Sequence, residues 1–171
     1  FENNAFKFAN LDGRGNAKLV AGSVLDYEKV VRSVRDTDIV VHAAAILSVS
    51  KVVRDPHLTL DTNYIGASNL LRASSSNSRL RRFVLFSTSE VFGANAFRVK
   101  EDGPTTLPSV QEARWSYSIS KLASEQLALG YYYKTGLPVL LLRPFNIFGP
   151  KRVGDHVVLR FVHHALKGED L

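Results

Sequence analysis

Residues 39–45 read Ile-Val-Val-His-Ala-Ala-Ala, a nearly continuous apolar run. A run that does not alternate with polar residues is typical of a strand that is buried on both faces, as in a parallel sheet. Residues 83–86, Phe-Val-Leu-Phe, and residues 139–142, Val-Leu-Leu-Leu, have the same character. The three runs therefore predict neighbouring strands of one buried sheet.

The segments between these runs predict helices. Asp26 is placed to cap the first of them, because an aspartate side chain can accept a hydrogen bond from the open first turn. Further helices are predicted from Pro56 to about Ser75, from residue 115 to about 134, and from Asp155 to Lys167. Strands that alternate with helices predict an open, mostly parallel α/β sheet.

Three further segments complete this prediction. Lys18 to Gly22 is a short apolar run that predicts one more strand, whereas the Asn- and Gly-rich residues 1–17 predict a loop. Residues 93–114 form a long connection, and a connection of that length in a compact domain is commonly functional.

The composition excludes several classes of protein. With 171 residues, 45% hydrophobic and 22% charged, the chain has the size and balance of one globular domain. It contains no cysteine, which excludes disulfides and thiolate chemistry within it. We expect a cytoplasmic setting and no membrane contact, since no apolar run approaches the roughly 20 residues of a membrane helix. The chain begins with Phe1 rather than Met, and it is interpreted as a piece of a longer protein.

The formal charge of +6 suits an anionic ligand. The basic residues are scattered, with no stripe that is interleaved with aromatic side chains, so nucleic acid is not the expected partner. His163 and His164 have no neighbouring ligand residues in the sequence, and no metal site is predicted.

Tyr117 and Lys121 lie four residues apart, which places both side chains on one face of the predicted helix. A nearby ammonium group favours the phenolate and lowers the pKa of a tyrosine, as acid–base chemistry requires. The alternative is an exposed helix face with a solvated lysine. Ligands of parallel sheets bind beyond the carboxyl ends of the strands. Four groups of residues are predicted at that edge: Ala43 to Ala45, Thr88 to Glu90, Tyr117 with Lys121, and Pro144 to Ile147.

Five segments, in this order, resemble the motifs of the extended short-chain dehydrogenase/reductase family, which contains nucleotide-sugar epimerases, dehydratases and decarboxylases. They are residues 40–45, 63–69, 86–93, 117–121 and 143–150. The resemblance implies a Rossmann-like, doubly wound parallel sheet. It also implies that residues 1–171 are one partial dinucleotide-binding domain, because the family's first strand and glycine-rich phosphate turn are not found; Gly13-Arg14-Gly15 is no substitute for that turn.

The resemblance implies catalytic roles for three residues. Tyr117 as phenolate would take a proton from a sugar hydroxyl, usually at C4, while that carbon passes a hydride to the nicotinamide. Lys121 would lower the pKa of Tyr117 together with the nicotinamide and would hold the nicotinamide ribose. Thr88 would align the reacting oxygen. The product of this step is a 4-keto sugar.

Ser89 and Glu90 bear on the type of reaction. The sequence Thr88-Ser89-Glu90, with Arg114 and Trp115 before the tyrosine, most resembles UDP-glucuronate decarboxylases; GDP-mannose dehydratases also carry Thr-Ser-Glu. For Glu90 a catalytic role and a simple ion pair with a neighbouring arginine are both open.

The resemblance implies NAD as the cofactor, with NADP not excluded, and a nucleotide sugar as the substrate. The expected substrate contacts are Thr88 and Asn146. The expected cofactor contacts are Ser23, Val24, Ala43, Ala44, Ala45, Asn63, Phe86, Ser87, Tyr117, Lys121, Pro144, Phe145 and Ile147. The helices that carry Asn63 and Tyr117 would form the interface of a homodimer.

Other interpretations stay open at this point. His42 is expected to be a core histidine rather than a catalytic one. Arg143 is equally suited to an ion pair and to a phosphate contact. The rival functions are an NADPH-dependent reductase of a non-sugar substrate on the same fold, and a non-catalytic dinucleotide-binding regulator.

Overall fold

A parallel sheet of three strands organises the part of the chain that the computed structural model describes, which is residues 17–94, 96–149 and 157–170. The strands are β1 (Ile39–His42), β2 (Arg82–Phe86) and β3 (Val139–Leu142), side by side in that order. Val41 lies opposite Val84, and Val84 lies opposite Leu140. The three strands and their parallel direction confirm the prediction from the apolar runs.

The helices that flank the sheet follow the predicted order. Asp26 caps the first helix by accepting a hydrogen bond from the backbone N–H of Lys29 at 3.1 Å. Gly136, with φ of 71°, ends the helix that carries Tyr117 and Lys121. The helices are α1 (Tyr27–Val34), α2 (Val49–Arg54), α3 (Pro56–Leu60), α4 (Gly66–Ser75), α5 (Ser116–Thr135) and α6 (Val157–Lys167).

One π-helical turn, Asp61–Ile65, joins α3 to α4. The three pieces form the single helix that was predicted from Pro56 to Ser75, and Asp55 caps it by accepting a hydrogen bond from the backbone N–H of Leu58. The π turn itself was not predicted. Its position matters because Asn63 lies within it.

The hydrophobic core lies on one side of the sheet. Phe83 and Leu85 of β2 are fully buried there, together with Val40 of β1 and with side chains of α1, α4 and α5. The alternate side chains point the other way, and Ile39 and Val41 each remain 58% exposed. The prediction that residues 39–45 are buried on both faces is therefore wrong for the described structure, since helices α4 and α5 contact the sheet from one side.

Three predicted boundaries also need correction. Residues 18–22 do not form a strand, because no other described segment offers them the hydrogen bonds of a neighbouring strand. Strand β1 ends at His42, where its pairing with Leu85 ends, so Ala43 to Ala45 lie beyond it. Helix α2 was not predicted; its one buried side chain, Val52, leaves almost no periodic signal.

Part of the prediction falls on residues 1–16, residue 95 and residues 150–156, which lie outside the described residues. These include most of the predicted first loop and the predicted start of the last helix at Asp155. None of the helices in the described ranges combines the length and apolar character needed to cross a membrane.

Candidate active site

The carboxyl ends of β2 and β3 stay hydrogen-bonded beyond the strands. The backbone N–H of Ser87 donates to the carbonyl of Leu142 at 2.7 Å, and that of Ser89 donates to the carbonyl of Pro144 at 3.1 Å. Thr88 lies between these two bonds and is 7% exposed. Its hydroxyl accepts from the backbone N–H of Glu90 at 3.2 Å. The sheet edge thus holds Thr88 and Pro144 in fixed relation.

Helix α5 brings Tyr117 and Lys121 to this edge. We call the first part of the helix, residues 116–121, the catalytic turn, after the roles predicted for these two residues. Lys121 is 3% exposed, and its Nζ donates to the carbonyl of Phe86 at 2.6 Å, while Nζ lies 6.0 Å from the centre of the Tyr117 ring. The side chain of Thr88 lies close enough to Tyr117 to lower the pKa of its phenol by hydrogen bonding. The structure therefore joins three of the predicted catalytic residues.

Burial shifts the pKa values of both Lys121 and Tyr117. Burial lowers the pKa of Lys121 to about 8. The pKa of Tyr117 is raised, chiefly by burial; the charge of Glu90 raises it further, and the hydrogen bond with Thr88 lowers it. The expected lowering of the pKa of Tyr117 by Lys121 together with the nicotinamide stays a prediction, because the net rise comes first from burial and then from the charge of Glu90. Loss of water around the phenol outweighs the other effects, and Tyr117 needs a further positive charge nearby before it ionises near neutral pH.

Glu90 is held against the catalytic turn by two groups. The hydroxyl of Ser118, which is fully buried, donates to Oε2 of Glu90 at 2.9 Å. A guanidinium nitrogen of Arg114 lies 4.0 Å from the same oxygen. Both readings of Glu90 keep support, because it has an arginine neighbour and its charge also acts on Tyr117. Ser89 is half-buried at the adjoining position.

The side-chain amide of Asn63 makes its hydrogen bonds within the protein. Its Oδ1 accepts from the backbone N–H of Ile46 at 2.8 Å, and its Nδ2 donates to the carbonyl of Ile46 at 3.0 Å and to Oγ of Ser120 at 3.1 Å. Both amide hydrogens are used, and the residue is 1% exposed. The geometry therefore does not support a direct contact between this side chain and the cofactor.

The remaining predicted contacts are spread along the carboxyl edge. Ala43 and Ala44 are exposed beyond β1, and Ala45 is half-buried. Beyond β3, Phe145 is 60% and Ile147 is 66% exposed, and Asn146 between them is exposed too. These side chains lie on the predicted edge, but no hydrogen bond within the described residues joins them to the catalytic turn.

Ser23 and Val24 lie further from the turn, before α1. Oγ of Ser23 accepts from the backbone N–H of Leu25 at 3.2 Å, and Val24 is half-buried against the helix that carries Asn63.

Arg143 forms an ion pair. Its Nε and one terminal nitrogen donate to the carboxylate of Glu125 at 3.0 and 2.6 Å, and its other terminal nitrogen donates to the carbonyl of Glu101 at 3.0 Å. The guanidinium carbon also lies 4.8 Å from the centre of the Phe92 ring. Of the two roles left open for Arg143, the structure shows the ion pair.

His42 is a core residue, as predicted. It is 2% exposed, and its pKa is lowered to about 4, first by burial and then by the charge of Lys121. In the described ranges no group of three potential metal ligands comes together, around His163 and His164 or elsewhere.

A cavity of about 820 Å³ adjoins the site on the exposed side of the sheet. Phe86, Arg143, Pro144, Phe145 and Ile147 contribute to its wall, whereas Tyr117 does not. It therefore extends from the carboxyl edge of the sheet and does not enclose the catalytic turn.

Sequence reasoning missed the buried polar side of α5. Ser118, Ser120 and Ser124 are all fully buried, and Glu125 is 2% exposed. The usable signal was the repeated serine around Tyr117, because a helix that buries serine needs partners on the packed side. Ser124 and Ser120 donate to carbonyls of the same helix, but Glu90 accepts from Ser118 and Asn63 donates to Ser120 from other elements, and the sequence pattern could not name those two partners.

Comparison with known proteins agrees with this geometry. The model of the NAD dependent epimerase/dehydratase family matches residues 2–171. The match covers almost the whole chain, and the chain belongs to this family.

Among curated relatives, UDP-N-acetyl-alpha-D-glucosaminuronate decarboxylase from Bacillus cytotoxicus is 36% identical over 160 residues, which are 92% of this chain and 49% of that protein. A solved structure of a dTDP-glucose 4,6-dehydratase double mutant from Streptomyces venezuelae, with NAD and DAU bound, has a TM-score of 0.84 and 27% identity, covering 98% of this chain and 50% of that one. UDP-glucuronic acid 4-epimerase from Bacillus cereus in complex with NAD has a TM-score of 0.81 and 25% identity, covering 98% and 51%. The Rossmann-like fold is confirmed, and the chain spans about half the length of these proteins.

Proposed function

We propose that the protein to which this chain belongs modifies a nucleotide sugar through a 4-keto intermediate with NAD as cofactor, and that Tyr117 is its acid–base residue. The observation that carries this proposal is the arrangement of Tyr117, Lys121 and Thr88 at the carboxyl ends of parallel strands. Ligands of such sheets bind at that edge.

The described residues fit one half of a dinucleotide. Oγ of Ser87 is buried with no hydrogen-bond partner, and Ala43 and Ala44 leave the backbone beyond β1 exposed. Lys121 would hold the ribose, and Ala43 to Ala45, Pro144, Phe145 and Ile147 would line the nicotinamide side. The bound cofactor supplies a hydride acceptor whose ring carries positive charge.

The side chains of the catalytic turn then divide the proton chemistry. Thr88 aligns the reacting oxygen next to Tyr117, and Tyr117 takes the proton from the sugar hydroxyl. Lys121, with a pKa of about 8, carries a positive charge at neutral pH and is fixed by the carbonyl of Phe86. That charge and the charge of the cofactor oppose the effect of burial on the pKa of Tyr117.

Decarboxylation of a uronic acid is the reaction that the neighbouring residues support best. A dehydratase needs an acid to expel the C6 hydroxyl, and by the resemblance to the family Ser89 stands at the position where dehydratases often carry that acid as Thr-Asp-Glu. Loss of carbon dioxide needs none: the C5–C6 electron pair moves toward the 4-keto group as carbon dioxide leaves, and C5 then takes a proton. The 36% identical relative carries the name of a decarboxylase of this kind.

We further propose a homodimer that uses the two helices on either side of the site. Apolar side chains on these helices stay exposed: Leu58 at 44%, Tyr64 at 38% and Ile65 at 44% on one, and Tyr132 at 50% and Tyr133 at 79% on the other. Sedimentation of the complete protein tests this, and a monomer at micromolar concentration would contradict it.

The central experiment compares the complete wild-type protein with Tyr117→Phe. Each is incubated with NAD⁺ and, separately, with UDP-glucuronate, UDP-N-acetylglucosaminuronate, UDP-glucose and GDP-mannose. We expect carbon dioxide from a uronate and a turnover that falls about 10²–10⁴-fold in the variant, the usual contribution of a positioned acid–base group. Tyr131→Phe, on the same helix but packed against the core, serves as the matched control.

Other outcomes choose between the rivals. Loss of water or formation of a C4 epimer would replace decarboxylation by the corresponding reaction. Equal turnover of wild type and Tyr117→Phe would remove Tyr117 from the mechanism. Tight NAD⁺ binding without any turnover would favour a non-catalytic regulator, and consumption of NADPH with a non-sugar carbonyl compound would favour a reductase.

A further inference from the structure

Asn63, Gly66 and Asn69 occur at every third position along the continuous helix that begins at Pro56. All three are buried, Asn63 at 1% and Asn69 at 8% exposure. Residues three apart lie on neighbouring positions of one helix side. We call these three residues the polar row, and they contact segments that lie outside the sheet.

The first member of the polar row joins two segments. Asn63 grips the backbone of Ile46 at both its N–H and its carbonyl, directly after Ala43 to Ala45. It also donates to Oγ of Ser120, which in turn donates to the carbonyl of Tyr117 at 2.6 Å. One buried amide thus ties the strand end beyond β1 to the catalytic turn.

The other two members hold Val24. Nδ2 of Asn69 donates to the carbonyl of Val24 at 3.0 Å. Gly66 lets this segment approach closely, because a Cβ at position 66 would lie 2.5 Å from Cγ2 and 3.1 Å from Cβ of Val24. Any larger residue at position 66 therefore displaces Val24 or the helix.

The polar row holds two segments that the sheet does not hold by strand pairing. Residues 17–23 and 43–48 have no strand pairing in the described structure. An irregular segment keeps a defined position only where other groups satisfy and hold its backbone. The polar row does this for both segments from one rigid helix.

We propose that the polar row positions the cofactor without touching it, by holding residues 23–24 and 43–46 at a set distance from the catalytic turn. This inference rests on the proposed function, in which residues 43–45 line the nicotinamide side of NAD, and it takes residues 23–24, the other expected cofactor contacts, to lie on the adenine side. Asn63, Gly66 and Asn69 are then positioning residues, and the three-residue spacing is explained by the two segments that they hold.

The two ends of the row have separable consequences. Gly66→Ala disturbs only the Val24 end by a steric clash, and Asn69→Ala does so by removing one buried hydrogen bond. For both we expect the affinity for NAD⁺ and for ADP-ribose to fall about tenfold, while kcat at saturating NAD⁺ stays within about twofold. Asn63→Ala disturbs the link to the turn, and we expect kcat to fall as well, by about tenfold or more. Ser120→Ala is a milder second variant of that link, since it leaves both bonds to Ile46 in place.

The experiment uses the complete protein and two readouts besides activity. Calorimetry gives the Kd of NAD⁺ and of ADP-ribose, and amide hydrogen exchange reports on the N–H of Ile46, which we expect to exchange faster in Asn63→Ala and unchanged in Asn69→Ala. Ser68→Ala is the matched control, because Ser68 lies on the same helix and its hydroxyl makes no hydrogen bond to any of the described residues. Wild-type values throughout are expected for it.

Each outcome decides one question. Wild-type protein that binds neither NAD⁺ nor ADP-ribose contradicts the proposed function. Wild-type protein that binds both, with Gly66→Ala and Asn69→Ala binding as tightly, overturns the positioning role alone. A fall of affinity, kcat and melting temperature in the same proportion in every variant of the row also overturns it, because the row would then merely stabilise the fold.

Discussion

Helix α5 carries two buried polar regions that the structure treats in opposite ways. Toward its carboxyl end, Glu125 and Arg143 form a closely spaced pair in which the guanidinium also reaches the carbonyl of Glu101. In the catalytic turn, Lys121 has one hydrogen bond, to the carbonyl of Phe86, and the pKa values of Lys121 and Tyr117 both move in the direction that disfavours their charged forms.

On one helix, buried groups that satisfy one another and buried groups that do not have different effects on stability and activity. A buried pair whose groups satisfy one another stabilises the position of the helix on β3 and has little capacity left for a ligand. A buried lysine beside a buried phenol, each incompletely compensated, is unfavourable for stability and suited to proton transfer. We expect substitutions in the first region to change stability and those in the second to change activity.

The largest expected effect on stability is that of Glu125→Ala. Removal of the carboxylate leaves the guanidinium of Arg143, whose side chain is only 20% exposed, without its main partner. We expect the free energy of unfolding to fall by about 3–5 kcal/mol, as for other broken buried pairs. Urea denaturation of the complete protein measures this. The double variant Glu125→Leu with Arg143→Met is the control and should recover much of the loss; a loss below about 1 kcal/mol in the single variant would contradict the contrast.

Lys121→Met should change stability in the opposite direction. The pKa of Lys121 is lowered from 10.5 to about 8, so between those values the unfolded chain binds more protons than the folded one. The stability contributed by this site therefore rises as the pH increases from about 8 to 10.5, and the cost of burial is fully present below pH 8. Lys121→Met should raise the free energy of unfolding at pH 7 by about 1–3 kcal/mol, allowing for the lost hydrogen bond to Phe86, and abolish that rise.

Denaturation curves at pH 7 and pH 10 provide the test for Lys121. Lys134→Met, exposed on the same helix, is the control and should leave both curves unchanged. A Lys121→Met variant that is less stable than wild type at pH 7 would place Lys121 with Glu125 among the stabilising groups.

The loss of stability at acid pH tests the contribution of His42, whose pKa is also affected by Lys121. The pKa of His42 is lowered from 6.5 to about 4, chiefly by burial and in part by Lys121, so stability is lost as the pH falls from about 6.5 to 4. His42→Phe should remove up to about 3 kcal/mol of that loss, whereas His163→Gln, at an exposed position, should not. Melting temperatures at pH 7, 5.5 and 4 distinguish the two, and an unchanged acid slope in His42→Phe would show that other groups cause it.

The contrast also shows which features were accessible to prediction. The four-residue spacing of Tyr117 and Lys121 depends only on the local helix period, and the three strands depend on their own apolar runs, so both were predicted correctly. The pair of Glu125 and Arg143 is different, because it depends on how α5 packs against β3 across 18 residues of sequence. The rise in the pKa of Tyr117 was not predicted for the same reason: spacing identifies a charged neighbour but not the extent of burial.

The smallest expected effect is on the second arginine–glutamate pair, Arg114 with Glu90. Its atoms lie 4.0 Å apart, and the two side chains are 45% and 37% exposed, so solvent screens the attraction. Arg114→Ala should therefore change the free energy of unfolding by less than about 0.5 kcal/mol, in contrast to Glu125→Ala. Ser118→Ala should cost more than Arg114→Ala, because the fully buried hydroxyl holds Glu90 at 2.9 Å. If Arg114→Ala were instead as destabilising as Glu125→Ala, burial would not be what separates the two pairs, and Glu90 would have to be counted with the architecture of the helix and not with its chemistry.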